Sequence, residues 1–171
     1  MSELAKGFGV YLPSWGHAFS MPRGDSRAFL KRGYEVTALD ASGAMPELAS
    51  RHIGRRVLHM SFDQVRFRER FDGVWASASL LHVPRQSTAK VLERLVIALK
   101  VDGMMHASFK YGEEEVVRNG RLFSDCSEDS FRRLLEAGPK MASARPWITT
   151  DLRPECTATV WLNVLLRKQG G

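Results

Sequence analysis

The sequence predicts an α/β protein built on a mostly parallel sheet that closes with an antiparallel C-terminal strand. From Asp25 onward, helix-like and strand-like segments alternate with short joints, the pattern of a parallel sheet whose crossovers are helices. Met104 to Phe109 reads as a fully buried strand rather than a half-exposed one. The last two strand-like segments, about Arg145 to Thr150 and Thr157 to Leu166, are joined by a stretch around Pro154 that is too short for a helical crossover, so these two are expected to be antiparallel.

The elements follow in order. Asp25 to Arg32 reads as a helix: Asp25 or Ser26 can cap its first N–H groups, Ala28, Phe29 and Leu30 supply apolar surface, and Gly33 can take the left-handed C-terminal position. Glu35 to Leu39 is a strand ending at Asp40-Ala41-Ser42-Gly43. A helix around Pro46 to Arg51 and a strand at Val57 to Met60 complete a strand-helix-strand unit. Phe71 to Ala76 is the next strand, bounded by the small residues Ser77-Ala78-Ser79. In Ser87 to Lys100, Val91, Leu92, Leu95, Val96 and Leu99 share one helical face, and Asp102-Gly103 is expected to stop that helix. Ser127-Glu128-Asp129 opens a further helix with a cap and two acids at the positive end of its dipole.

With 171 residues, 44% of them hydrophobic and 26% charged, the chain is expected to form one domain spanning 1–171, with residues 1–24 atypical. No run approaches the roughly 18 to 20 apolar residues of a membrane-spanning helix. The start, Met1 to Val10, lacks the basic and continuous apolar regions of a secretory signal, so a cytoplasmic location is expected. Cys126 and Cys156 are too few for a disulfide scaffold and lack the spacing of a zinc site, so no metal is expected. The 25 basic against 19 acidic residues leave a net charge of +6, but the basic residues fall in scattered pairs such as Arg55-Arg56 and Arg132-Arg133. A solvated surface accounts for them better than a nucleic-acid footprint.

In an open parallel sheet, ligands sit outside the carboxyl ends of the strands. Asp40 closes the second strand-like segment, where a carboxylate can accept hydrogen bonds from both hydroxyls of a ribose and Ala41 leaves room for the approach. It reads equally as a turn residue or the cap of the next helix. Asp63 could meet the polar edge of a base with Phe62 over its face; the alternative is a loop acid beside a core phenylalanine. His82 is a candidate to orient a substrate or take a proton, or else a structural histidine. Lys110, Tyr111 and Arg121 follow the next strand, where cations would favour an anionic or electron-rich acceptor, or would simply be solvated.

The runs Arg27 to Ser42 and Phe71 to Pro84, continued by Gly103 to Gly112 and Trp161 to Leu165, resemble bacterial class I S-adenosylmethionine-dependent methyltransferases, most closely the small methyltransferase-domain or tellurite-resistance-like branch. The resemblance implies a Rossmann-like methyltransferase fold, S-adenosylmethionine as cofactor and a small-molecule methyl acceptor. It assigns Asp40 to the ribose, with Ala41 beside it on the cofactor side, and Phe62 and Asp63 to the adenine. Ala76, Ser77 and His82 would then line the cofactor and acceptor side.

The same family carries an acid and a glycine-rich loop, Asp-x-Gly-x-Gly-x-Gly, immediately before its first helix. Here, counting back from Asp25, those glycines fall on Phe19, Met21 and Arg23 and the acid on His17, while Gly16 and Gly24 lie off the spacing, Gly24 being kept as a candidate cofactor contact. The chain also begins too close to its first strand for the helix that usually precedes it. Two rival expectations follow: a non-catalytic protein that keeps the fold but has lost cofactor binding, and a nicotinamide-dependent oxidoreductase, whose ribose an acid after the second strand would also suit.

Overall fold

The computed structural model describes residues 7–11, 23–41, 47, 50–51, 54–151 and 159–170, with only the backbone at 7–11 and 23–24. Its main sheet has seven strands: β1 (Gly7–Tyr11), β2 (Glu35–Asp40), β3 (Val57–His59), β4 (Phe71–Ala76), β5 (Leu99–Lys110), β8 (Met141–Thr150) and β9 (Val160–Lys168). Their order is β3-β2-β1-β4-β5-β9-β8. Pairing is parallel from β3 through β5, and β9 runs antiparallel to both β5 and β8. The expected mostly parallel sheet with one antiparallel C-terminal strand is therefore present. β1 lies in the middle of the five parallel strands, so strand order reverses on either side of it, and the carboxyl ends of β2, β1 and β4 stand side by side.

Helices α1 (Arg23–Lys31), α2 (Arg85–Ala98) and α3 (Glu128–Glu136) accompany the sheet. One face of the sheet and the helices α2 and α3 form the main core. Val74 and Ala76 of β4, Met105, Ala107 and Phe109 of β5, and Leu162, Val164 and Leu166 of β9 are buried there with Val91, Leu92 and Leu95 of α2 and Phe131 of α3. Each such side chain contributes roughly 1.5 to 3 kcal/mol by leaving water. The intervening residues, Trp75 of β4 and His106 of β5, point to the opposite face and stack at 3.9 Å between ring centroids.

Three expectations shift. Asp25 does not cap α1, which starts two residues earlier; its carboxylate instead accepts the indole N–H of half-buried Trp75 at 2.8 Å, a donor that needs a partner once buried. Gly33 ends the helix as expected, at φ +83°. Asp102-Gly103 does not stop α2, which ends at Ala98, with β5 beginning at Leu99 and absorbing both residues in a register shift opposite Phe71 and Gly73. A Cβ on Gly103 would approach the Lys100 carbonyl oxygen to 2.9 Å, so the bend has room only for glycine. Residues 115–124, to which the sequence reading assigned no strand, form a separate hairpin of β6 (Glu115–Arg118) and β7 (Arg121–Ser124). The helix expected at Pro46 to Arg51 is helical at 47, 50 and 51. Gly16, His17, Phe19, Met21 and Cys156 lie outside the described residues.

Candidate functional site

The carboxyl edge collects most of the predicted residues. Asp40 is the last residue of β2, only 3% exposed, and its backbone carbonyl accepts the Met60 N–H at 2.9 Å. Its neighbour Ala41 is exposed, and the His59 ring Nε2 donates to the Ala41 carbonyl at 3.2 Å. Ala76, with no exposed surface, closes β4 on the other side of β1, two strand spacings or about 10 Å from Asp40. Gly24, expected in the loop, is the second residue of α1.

After β3, Phe62 and Asp63 sit in the short turn Phe62–Gln64. Phe62 packs on the main core, while Asp63 is exposed. The Ser61 hydroxyl donates to Asp63 Oδ1 at 2.6 Å, and this bond, with the nearby Arg94 and Arg66 guanidiniums, holds the carboxyl below its ordinary pKa. Asp63 is thus an ionised acceptor at the rim.

The turn after β4 is held from β5 by Ser108, a residue to which the sequence pattern gives no role. Ala78 lies at φ +47°, a left-handed conformation that costs a non-glycine residue about 1 to 2 kcal/mol. The Ser108 hydroxyl of β5 accepts its backbone N–H at 2.8 Å and lies 3.4 Å from the Ser77 hydroxyl. Ser108 is 4% exposed, so a buried hydroxyl holds a strained turn at the strand's carboxyl end. The available signal was a serine closing the apolar strand Met104 to Phe109, directly across from the small-residue turn.

His82 belongs to the short turn Leu80–His82, clasped by the hairpin. Its Nδ1 donates to the Leu122 carbonyl at 2.8 Å and its ring meets Phe123 edge-on at 5.0 Å. That bond fixes the neutral tautomer with Nε2 as the basic nitrogen. Burial lowers the His82 pKa, with the Arg121 and Lys110 charges acting in the same direction and the Leu122 bond against them. Lys110 Nζ lies 4.6 Å from the centre of the Phe123 ring. The hairpin therefore gathers His82, Lys110 and Arg121 around Phe123. Tyr111 is drawn elsewhere: its hydroxyl donates to Glu128 Oε2 of α3 at 3.1 Å, which raises the phenol's pKa. No group of three or more metal-ligating side chains occurs among the described residues.

Residues 23–103 match the family model described as a methyltransferase domain. The fold is a methyltransferase fold. An S-adenosylmethionine-dependent methyltransferase from Methanosarcina mazei superimposes with a TM-score of 0.76 at 11% identity, covering 99% of this chain and 95% of that one. The 1,6-didemethyltoxoflavin-N1-methyltransferase of Burkholderia thailandensis, solved with its substrate and S-adenosylhomocysteine, does so with a TM-score of 0.70 at 22% identity, covering 97% and 72%. The [4+2]-cyclase SpnF gives a TM-score of 0.67 at 12% identity, covering 98% and 76%. No curated protein sequence matches the chain. These neighbours share the fold, and the cyclase among them shows that the fold also carries other chemistry. Among the described residues, no helix is long and apolar enough to cross a membrane.

Proposed function

We propose that this protein is an S-adenosylmethionine-dependent methyltransferase acting on a small-molecule acceptor. The observation that carries the reading is the buried carboxylate of Asp40 at the end of β2, inside the matched methyltransferase domain and beside the point where strand order reverses. The residues fit a nucleoside cofactor: Asp40 and Ala41 would hold the ribose, Phe62 and Asp63 the adenine, and the narrow Ala76-Ser77 edge admits a ligand close to the backbone. S-adenosylmethionine supplies a methyl group activated by its sulfonium.

What the chain itself must do is align and shield. In-line displacement at a methyl carbon needs the acceptor held behind that carbon and water kept out, and it needs no dedicated base. The rigid turn at Ala78, pinned by Ser108, fixes one wall. In this reading, Lys110 and Arg121 draw an anionic or electron-rich acceptor, and His82, neutral with Nε2 basic, orients it or takes its proton.

A second reading has a specific observation behind it. The segment from Leu12 to Gly24 lacks the glycines at the family's spacing, which would suit a methyltransferase-fold protein that no longer binds cofactor. Calorimetric titration with S-adenosylhomocysteine and with NADH tests all the readings. Binding of the first supports the methyltransferase, binding of the second alone makes it an oxidoreductase, and binding of neither by folded protein leaves the non-catalytic form. Given cofactor binding, a screen of small nucleophiles with isotope-labelled S-adenosylmethionine identifies the acceptor. Lys110→Ala with Arg121→Ala should then lower methyl incorporation at least tenfold while S-adenosylhomocysteine affinity stays unchanged.

A further inference from the structure

Behind the carboxyl end of β5, on the side of the sheet that carries α2 and α3, lies a cavity of about 170 Å³. Phe109, Cys126 and Leu134 give it an apolar wall. None of the residues proposed above for the methyl donor or its acceptor lines it. A dry cavity of about 150 Å³ suffices for benzene, so this one admits a six-membered ring with one or two substituents.

The polar groups of the wall are nearly all consumed within the protein. The Thr88 hydroxyl donates to the Pro84 carbonyl at 3.1 Å, and the Ser124 hydroxyl has the Val83 carbonyl at 2.9 Å and Glu115 Oε2 at 2.7 Å as acceptors. Arg85 donates to the Glu113 carboxylate at 3.3 Å and to the backbone carbonyls of Glu113 and Asp125 at 2.8 and 3.1 Å. Arg133 donates to the Ser130 hydroxyl at 3.1 Å and lies 3.8 Å from the same Glu113 carboxylate. Glu113 thus already answers both guanidiniums. Asp125 differs: its Oδ1 is buried with no hydrogen-bond partner among the described residues. Burial raises its pKa in spite of the Lys110, Arg118 and Arg85 charges nearby. The wall offers an apolar surface and one acceptor lacking a donor. It does not offer an unpaired cation to an anion, and a cation would have to enter between two guanidiniums.

We propose that this cavity is a second small-molecule site, for a neutral ligand with an aromatic or compact apolar body and one hydrogen-bond donor that reaches Asp125. It does not depend on the methyltransferase reading. The probe is phenol, compared with toluene, benzoate and benzylammonium by ligand-observed NMR and thermal denaturation of the full chain. Phenol should bind saturably and raise Tm, about two- to tenfold more tightly than toluene for one added hydrogen bond. Benzoate and benzylammonium should bind more weakly than either. Asp125→Leu should abolish the preference for phenol while toluene still binds. Leu134→Trp, which fills the cavity, should remove both ligands from a folded protein without changing its response to S-adenosylhomocysteine. Absence of saturable phenol binding, equal affinity for phenol and toluene in the wild type, tighter binding of either ion, or full phenol binding by folded Leu134→Trp would each overturn the proposal.

Discussion

Asp40 is 3% exposed and closes an inner strand at the sheet's carboxyl edge, where a nucleoside ligand of such a sheet would meet it. If Asp40 pairs with ribose hydroxyls, Asp40→Ala should weaken S-adenosylhomocysteine binding by about 1.5 to 3 kcal/mol, the range for hydrogen bonds to a charged group. Equal affinity in wild type and variant would remove Asp40 from the cofactor site. His106 makes a different test. It is 6% exposed and stacked on Trp75, and burial pushes its pKa down to about 4 from 6.5, a hydrogen bond to Asn163 opposing the shift. The folded-state pKa is depressed, so for this histidine the unfolded chain takes up the proton first. Its contribution is intact above pH 6.5 and is lost as pH falls towards 4. The loss across that window is on the order of 3 kcal/mol. His106→Phe keeps an aromatic ring against Trp75 and should lack this part of the acid destabilisation. Urea denaturation at pH 7.5 and pH 4 compares the two, and parallel losses in both proteins would refute the assignment.

At the scale of elements, the hairpin of β6 and β7 is the part that most changes how the site is seen. Phe123 is its keystone, covering the His82 ring and carrying Lys110 over its own face. Since burial is the largest cause of the lowered His82 pKa, Phe123→Ala should let that midpoint rise towards 6.5, as followed by NMR titration of the imidazole. A midpoint that stays put would mean that other groups, not the hairpin, keep the ring dry. The hairpin was not legible because Val116 and Val117 stand among Glu113, Glu114, Glu115 and Arg118, and β-propensity is weak without burial to support it. α2 was legible to within two residues, because Leu92 and Leu95 repeat at helical spacing and are fully buried. Its end was misplaced because Leu99 continues the apolar face while the chain has already turned into β5. For the candidate site, strand order pointed to Asp40 and the family resemblance to Ala76, and both stand at the carboxyl ends of their strands. Ser108 was missed because its role is to hold a neighbouring strand's turn, a contact across 30 residues that periodicity does not reveal.

For the whole molecule, the decisive relation is between the centre of the sheet and the segment that leaves it. β1 stands between β2 and β4 and ends at Tyr11, and α1 begins at Arg23, so the chain between them connects the middle of the carboxyl edge to the first helix. In the family that the sequence resembles, glycines in this connection let the backbone approach the cofactor and adopt positive φ. Phe19 and Met21 bring side chains where that loop has none. All the other proposed cofactor residues lie on strands and turns that this connection does not build. Replacing residues 12–24 with an acid-plus-glycine loop of family type should therefore leave the sheet folded and raise S-adenosylhomocysteine affinity at least tenfold in calorimetric titration. The rise should require Asp40, so the same exchange in Asp40→Ala should recover less. A folded chimera with unchanged or weaker affinity would show that the native segment is itself an adapted binding element, shaped around Phe19 and Met21 rather than impaired by them.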